Sequence, residues 1–185
     1  MTPSEYGALV LVLLAFGVLA GAVGWTSTAA RRVFAPGALL LLAAATVVAA
    51  APASVLVRDG FPTVLLIGLG GLLAVSGGGP VTALVFDLVD RREPPAESLE
   101  LAGHVLRGGA WIGTLERAAT FATLVAGWPE GLAIVLALKG LGRYPELRAA
   151  EDGVRTGAAE RFIIGTFVSV LWACACAGTV VLTSS

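Results

Sequence analysis

Six long apolar segments, separated by short stretches rich in charged residues, glycine and proline, run through the chain. A helix needs about 20 mostly apolar residues to cross about 30 Å of hydrocarbon, and most of these segments approach that length. The segments run from about Glu5 to Trp25, Pro36 to Val57, Thr63 to Asp90, Ala110 to Gly127, Glu130 to Tyr144 and Arg161 to Leu182. The pattern predicts an all-α fold, a polytopic helical transmembrane bundle of about six spans.

A polar segment, "RREPPAESLELAGHVLRGG", divides the chain into two halves of three spans each. The division predicts an N-terminal half over residues 1–92, a cytoplasmic connector over 93–109 and a C-terminal half over 110–185. In the connector, apolar residues such as Leu99 supply hydrophobic area, while polar ones such as His104 disfavour insertion. We expect a short interfacial helix there, lying along the membrane surface.

The third segment carries the sequence "SGGGP" in its interior. From Thr63 to Asp90 it has 28 residues, which would be about 42 Å long as one straight helix. Proline removes a backbone donor and glycine is costly inside a helix, which predicts a helix break at Gly77, Gly78, Gly79 and Pro80. Two interpretations stay open. The break is either a kink or stop, or an unwound segment whose free backbone groups line a cavity, as in transporters with broken helices.

Composition supports a membrane environment. Hydrophobic residues make up 57% of the chain and charged residues 14%, with a mean hydropathy of +0.88. Soluble domains are nearer half apolar and about a quarter charged. The net charge of −1 comes without a basic tail, so nucleic acid is not an expected partner.

Basic residues are distributed unevenly between the two sides that the six-span scheme defines, and cytoplasmic loops are usually enriched in lysine and arginine. One side receives only Arg58. The other side receives Arg31, Arg32, Arg91, Arg92, Arg107, Arg143, Arg148, Arg155 and Arg161. The asymmetry predicts a multi-pass protein with both termini extracytoplasmic. The alanine-, glycine- and valine-rich composition suits a high-GC bacterium, so the predicted location is a bacterial plasma membrane.

The fourth and fifth segments are joined by the short turn "GWPEG" and form a predicted antiparallel hairpin. Residues at equal distances from such a turn lie at equal depth. Glu116 lies 11 residues before Gly127 and Lys139 lies 9 residues after Glu130, which places both roughly 14 to 17 Å below the turn. A charge at bilayer depth costs about 2.5 to 3.5 kcal/mol on insertion scales and normally finds a partner. We therefore predict an ion pair between Glu116 and Lys139.

Further polar residues are predicted to lie near this pair. Arg117 lies about 100° around the helix from Glu116. Its long side chain is expected to extend toward the cytoplasmic headgroups, or to reach Asp87 or Asp90. Thr166 approaches the same depth from the sixth segment. Two roles stay open for such a cluster, because buried pairs either clamp helices together or take part in chemistry.

The sequence "FDLVD" places Asp87 and Asp90 about one helical turn apart near the cytoplasmic end of the third segment. That spacing fits a divalent cation bound against a lipid phosphate, because carboxylate oxygens are the usual ligands of such cations. The alternative is ordinary solvation of a helix end.

Gly17 and Gly21 form a GxxxG pair in the first segment, and Gly24 continues the small surface. This spacing lets two helices approach closely. The partner helix is expected either within the same chain or in a second subunit.

Several sequence features stand out in the C-terminal region: "IGTLER", an acidic residue after the hairpin turn, "ALKGLGRYPEL" and "ERFIIGT". On these features, the chain from about Gly108 to Ala173 resembles the C-terminal region of a family of uncharacterised bacterial integral membrane proteins, a domain of unknown function. The resemblance implies a functional unit and names no activity. With it, the predicted intramembrane polar cluster comprises Glu116, Arg117, Lys139, Arg143 and Thr166.

The sequence contains no HExxH, GxSxG, P-loop or CxxC motif, so no catalytic residue, metal site or cofactor is predicted. The leading hypothesis is a structural or accessory membrane component, with the lipid bilayer around it and a homo-oligomer or larger membrane complex as its partner. The alternative is a small transporter or ion-conducting protein with a polar cavity open to the cytoplasm. A third hypothesis is a lipid-headgroup enzyme that uses Asp87 and Asp90.

Overall fold

The computed structural model describes residues 3–50, 60–92, 109–149 and 152–184, and these residues form six α-helices. The helices are α1 (Pro3–Val23), α2 (Thr28–Ala49), α3 (Phe61–Arg92), α4 (Gly109–Val125), α5 (Glu130–Ala149) and α6 (Asp152–Ser184). The described ranges contain no β-strand, so the predicted all-α bundle is confirmed. The interfacial helix predicted for the connector lies outside the described residues.

Helix α2 begins earlier than the apolar pattern predicts, at Thr28 rather than at Pro36. Ser27 has an extended backbone and caps the helix, because its Oγ accepts a hydrogen bond from the N–H of Ala30 at 3.0 Å. Such a cap satisfies one of the four amide donors that are left free at a helix N-terminus. Arg31 therefore lies in the first turns of α2 and not in a loop before it.

Helix α3 runs without interruption through the SGGGP sequence, which corrects the helix break predicted at Gly77, Gly78, Gly79 and Pro80. Pro80 has no N–H, so the carbonyl of Ser76 lacks the donor that a regular helix would give it. The indole of Trp25 supplies a donor instead, with Nε1 2.7 Å from the carbonyl oxygen of Ser76. A side chain from the α1–α2 turn thus compensates for the missing backbone bond.

Helix α3 lies at the centre of the bundle, in contact with α1, α2, α4 and α6. The core reflects that position, because Leu14 of α1, Leu73 of α3 and Val180 of α6 are each at most 1% exposed. Helix α5 lies at the periphery, packed on α4 and α6. The two predicted three-span halves therefore share one core.

The glycines of the GxxxG pair form the surface through which α1 packs on α3. A Cβ atom on Gly21 would lie 2.9 Å from the backbone of Gly77, which is closer than van der Waals contact allows. A Cβ atom on Gly24 would lie 2.9 Å from the ring of Pro80. The partner of this small surface is therefore α3 of the same chain, one of the two arrangements that the spacing allows.

A tight turn joins α4 to α5, as the sequence "GWPEG" predicts. Gly127 has a φ of 72°, a left-handed conformation that glycine adopts without a Cβ clash. The N–H of Trp128 bonds the carbonyl of Thr123 at 2.8 Å, and the N–H of Gly127 bonds that of Leu124 at 3.1 Å. This pair of bonds is the Schellman motif, which closes a helix and turns the chain back on itself.

Within the described ranges, four helical segments are long and apolar enough to cross a membrane: Ser4–Val23, Thr28–Ala49, Phe61–Asp90 and Ala159–Ser184. Helix α4 is shorter, with 17 described residues. Helix α5 continues past the end predicted at Tyr144, reaches Ala149 and contains Pro145. Membrane crossing by these two helices stays a prediction.

Large apolar side chains cover the outside of the bundle. Leu40 of α2 is 71% exposed and Leu171 of α6 is 64% exposed. Extensive apolar surface of this kind is unusual on a soluble monomer and marks contact with lipid or with another protein.

Candidate functional site: a buried polar layer

Five polar or charged residues lie at the junction of α4, α5 and α6 inside the bundle. We call them the polar layer: Thr114, Glu116, Arg117, Lys139 and Ser169. Hydrogen bonds join Arg117 to Thr114 and Ser169, and Lys139 to Glu116. Glu116 and Arg117 are adjacent in the sequence. Three of the five belong to the predicted polar cluster.

Glu116 and Lys139 form an ion pair that joins α4 to α5. Lys139 Nζ donates to Glu116 Oε2, and the lysine and glutamate side chains are only 13% and 12% exposed. Lys139 Nζ also lies 5.8 Å from the centroid of the Phe162 ring on α6, within the range of a cation–π interaction. Lys139 therefore contacts both neighbours of α5.

Arg117 points into the bundle and is only 4% exposed. Its Nη1 donates to Ser169 Oγ at 3.2 Å. Its Nη2 donates to Thr114 Oγ1 at 3.3 Å and to the carbonyl of Val75 at 3.4 Å. These acceptors are all neutral, and they tie α4 to α6 and to α3. The expectation that Arg117 extends to the headgroups, or to the aspartates near the end of α3, is therefore wrong.

Three consecutive glycines of α3 make room for three large side chains from other parts of the chain. The pairs, with the distance that a Cβ atom would have from the nearest side-chain atom, are Gly77 with Trp172 (2.4 Å), Gly78 with Arg117 (2.3 Å) and Gly79 with Trp25 (2.1 Å). Distances this short are impossible for a real Cβ atom, so the three side chains keep their positions only against glycine. The glycine run serves close approach, and the helix does not unwind there.

Trp172 uses this room to donate a hydrogen bond from Nε1 to the carbonyl of Leu73 at 3.1 Å. Trp25 and Arg117 bond two further carbonyls within the following turn of α3. Side chains from three other elements therefore hold one short stretch of α3.

Sequence reasoning missed Trp172 and Trp25 as partners of this region. One signal was available, because Pro80 must leave a carbonyl four residues earlier without its helical donor. Which side chain fills that role depends on packing between distant segments, and the pattern along the chain does not carry that information.

Two members of the predicted cluster stand apart from the polar layer. Thr166 Oγ1 donates to the carbonyl of Phe162 in its own helix at 2.6 Å. Ser169, about one turn later on α6, bonds Arg117 instead. Arg143 lies on α5 one turn after Lys139, and its side chain is outside the described part of the structure.

Several buried polar atoms in and beside the polar layer have no hydrogen-bond partner among the described residues. They are Ser76 Oγ, Glu116 Oε1, Arg117 Nε and Thr120 Oγ1. Polar atoms left without partners are destabilising, and such positions often hold a water or an ion. The layer also contains two cations and one carboxylate, so it carries excess positive charge.

Asp87 and Asp90, the predicted cation or headgroup site, are each bound by an arginine. Arg31 Nη2 of α2 lies 3.0 Å from Asp87 Oδ2, and Arg161 Nη2 of α6 lies 2.8 Å from Asp90 Oδ1. The guanidinium of Arg161 also lies 5.3 Å from the centroid of the Phe86 ring. The two ion pairs bring the start of α2 and the first half of α6 to the same end of the bundle as the last turns of α3.

The described ranges contain no group of three or more His, Cys, Asp or Glu side chains that could hold a metal ion.

Comparisons with models of protein families, with curated proteins and with solved structures give no match. The class of protein is therefore defined by its own geometry. It is an all-α bundle with four helices of membrane-spanning length, centred on α3, with a buried polar layer between α4, α5 and α6.

Proposed function

We propose that the protein is a structural or accessory component of a membrane, in which the polar layer clamps α4, α5 and α6 together and against α3. One observation carries the proposal: every charge of the layer binds a neighbouring helix. Glu116 binds Lys139 across α4 and α5, and Arg117 binds α6 and α3. Lipid is as apolar as the side chains between helices, so packing and polar contacts must hold helices together in a membrane.

The clamp matters most for α5, because that helix lies at the periphery and packs mainly on α4 and α6 among the described helices. A Cβ atom on Gly140 or Gly142 would meet no atom within 4 Å, so these two positions just beyond the ion pair do not pack on a neighbouring helix. At Lys139, α5 contacts Glu116 of α4 and the Phe162 ring of α6.

The proposed location is a bacterial plasma membrane, with both termini extracytoplasmic. Support comes from the arginine asymmetry of the loops and from the ion pairs of Arg31 and Arg161, which hold two of those arginines at one end of the bundle. The resemblance of the C-terminal region to bacterial membrane proteins agrees with this location. The lipid bilayer is the proposed environment, and a second copy or a larger membrane complex is the proposed partner.

A transporter or ion-conducting protein with a cytoplasm-facing polar cavity is the second candidate. The unpartnered buried atoms around Arg117 favour it, because a passing ion or water would satisfy them. The continuous α3 favours the clamp, since it removes the unwound segment that a broken-helix transporter requires. A lipid-headgroup enzyme has the least support, because Asp87 and Asp90 are both bound to arginines.

Clamp and transporter are distinguished with three variants: Glu116→Gln, Lys139→Met and the double variant. We expect each single change to lower the free energy of unfolding by about 1 to 2 kcal/mol, because it leaves one largely buried charge without its partner. The double variant should regain most of that loss. Unfolding in mixed micelles measures the stability of each variant.

The same variants, reconstituted in vesicles, are assayed for ion and solute flux beside Glu130→Gln. Glu130 is exposed at the first turn of α5, so its replacement controls for the loss of a negative charge alone. If the ion pair is only a clamp, the three pair variants should show the same flux as the wild type. Wild-type flux that disappears in all three pair variants, while their stability is unchanged and Glu130→Gln conducts normally, would establish the transporter instead.

A further inference from the structure

A cavity of about 280 Å³ lies beside the α1–α2 turn, separate from the polar layer. Its lining includes the apolar residues Trp25, Pro80 and Ala83 and the polar residues Ser27, Thr28 and Arg31. The volume is just below the usual range for small-molecule sites, about 300 to 1,000 Å³. It suits a compact polar group with a short carbon skeleton.

Arg31 brings unused hydrogen-bond donors to this cavity. It binds Asp87 through Nη2 alone, at 3.3 and 3.0 Å from the two carboxylate oxygens. Its other terminal nitrogen, Nη1, has no hydrogen bond to a described residue. A guanidinium has five N–H donors in a planar fork that matches the oxygens of carboxylate and phosphate. Because Asp87 already balances part of the charge, the site favours a singly charged anion over a doubly charged one.

The start of α2 adds further donors next to Arg31. Ser27 occupies the cap position, with its Oγ bound to the N–H of Ala30 and its carbonyl bound to the N–H of Arg31 at 2.9 Å. The amides of the first two helical residues precede the intrahelical bonding pattern, and the positive end of the helix dipole lies there. Thr28, which has a hydroxyl group, lines the same cavity. An arginine, a hydroxyl and a helix start around one cavity are the donors by which proteins bind phosphate.

The position of the cavity indicates how a ligand reaches it. It lies at the end of the bundle where Arg31 and Arg161 pair with the last turns of α3. Trp25 is 51% exposed at its edge, and tryptophan is enriched at membrane interfaces. In the membrane location proposed above, a group at headgroup level in the bilayer is adjacent to the cavity.

We propose that this cavity binds a singly charged phosphate ester, with its phosphate on Arg31 and Thr28 and its short polyol against Trp25 and Pro80. A phosphate diester carries one charge at neutral pH, and it is available either as the headgroup of an anionic phospholipid or as a small soluble diester. The proposal is independent of the clamp, because no residue of the polar layer lines the cavity.

Native mass spectrometry of the full-length protein in a non-ionic detergent tests the site with three probes. They are phosphatidylglycerol, diacylglycerol with the same acyl chains, and glycerophosphoglycerol, a soluble diester with the same singly charged headgroup. We expect phosphatidylglycerol to be retained at one copy per chain and diacylglycerol to be lost, because only the first has a phosphate. Competition by glycerophosphoglycerol identifies a site open to soluble diesters, and its failure identifies a lipid site.

Three variants locate the binding: Arg31→Gln, Ala83→Leu and the control Arg32→Gln. Arg32 is the exposed neighbour of Arg31 on the same helix. We expect Arg31→Gln to weaken retention about tenfold through the loss of a charged hydrogen bond. Ala83→Leu should weaken it similarly by filling the cavity, with the Arg31 and Asp87 ion pair intact. Arg32→Gln should bind as the wild type does.

Unfolding temperatures in lipid-free detergent show whether each variant is folded. If Arg31→Gln is not folded, the retention measured for Ala83→Leu tests the proposed site by itself. Equal weakening by Arg31→Gln and Arg32→Gln would overturn the proposal, because it would reveal attraction by surface charge alone. Equal retention of diacylglycerol, or no retention of any probe, would overturn it as well.

Discussion

Gly78 determines where Arg117 lies. The guanidinium reaches the carbonyl of Val75 and the hydroxyl of Ser169 because no side chain on Gly78 blocks the path of its aliphatic part. A Cβ atom at that position would lie 2.3 Å from Arg117 Cδ. The buried cation therefore depends on a residue that has no polar group of its own.

The change Gly78→Ala tests this dependence. We expect it to lower the free energy of unfolding by about 1 to 3 kcal/mol, because Arg117 must move out of its hydrogen bonds or α3 must shift. Gly68→Ala is the matched control, since Gly68 is on the same helix and a Cβ atom there would meet nothing within 4 Å. Its stability should be unchanged or slightly higher. Equal losses for the two variants in mixed-micelle unfolding would show that Arg117 does not depend on Gly78.

Side chains of the polar layer differ in how far the sequence predicts them. Counting residues from the GWPEG turn places Glu116 and Lys139 at one depth, and the structure pairs them. The same counting does not predict the position of Arg117, because it also bonds acceptors on α3 and α6. Arg117 reaches them only because Gly78, which is distant in the sequence, has no side chain in its path. Depth is a local property of a hairpin, whereas the direction of a long side chain depends on the whole bundle.

Helix α3 remains helical where its own sequence favours a break. The donor that Pro80 lacks is replaced by the indole of Trp25, which lies 51 positions before Ser76 in the chain and 2.7 Å from its carbonyl oxygen. Glycine and proline penalties are properties of the local segment. Compensation from a distant turn is visible only in the folded chain, which is why the sequence predicts an interruption that the structure does not contain.

The changes Trp25→Phe and Pro80→Ala, separately and together, measure this compensation. Trp25→Phe should lower the free energy of unfolding by about 1 to 3 kcal/mol, because it leaves a carbonyl without a donor. In the Pro80→Ala background the new N–H bonds Ser76, so the same change should have a clearly smaller effect. An identical loss in both backgrounds, measured by the same unfolding titration, would mean that the indole only fills space.

The molecule as a whole is one bundle and not two separate halves. Its central helix α3 contacts α1 and α2 as well as α4 and α6, and residues from both halves meet in one core. The apolar periodicity predicts the helices, and the loop arginines predict which ends lie together. The order of packing around α3 is not encoded in either pattern, because it depends on glycines and large side chains that match across helices.

The proposed topology is tested by labelling with a membrane-impermeant maleimide. Single cysteines replace Ala126 at the α4–α5 turn and Arg32 near the start of α2, in a chain whose Cys174 and Cys176 are changed to alanine. We expect Ala126→Cys to be labelled in cells whose plasma membrane is intact and whose cell envelope outside it has been made permeable to the reagent. Arg32→Cys should be labelled only after the plasma membrane is permeabilised. Labelling of both positions from outside would show that α4 does not cross the membrane.

The free energy of interaction between Glu116 and Lys139 is the most direct test of the clamp. It is obtained from the unfolding free energies of the wild type, Glu116→Gln, Lys139→Met and the double variant in mixed micelles. A clamp gives a favourable interaction of about 1 to 3 kcal/mol, with the double variant more stable than the sum of the single losses allows. An interaction near zero, with the losses simply additive, would show that the ion pair does not hold α4 and α5 together.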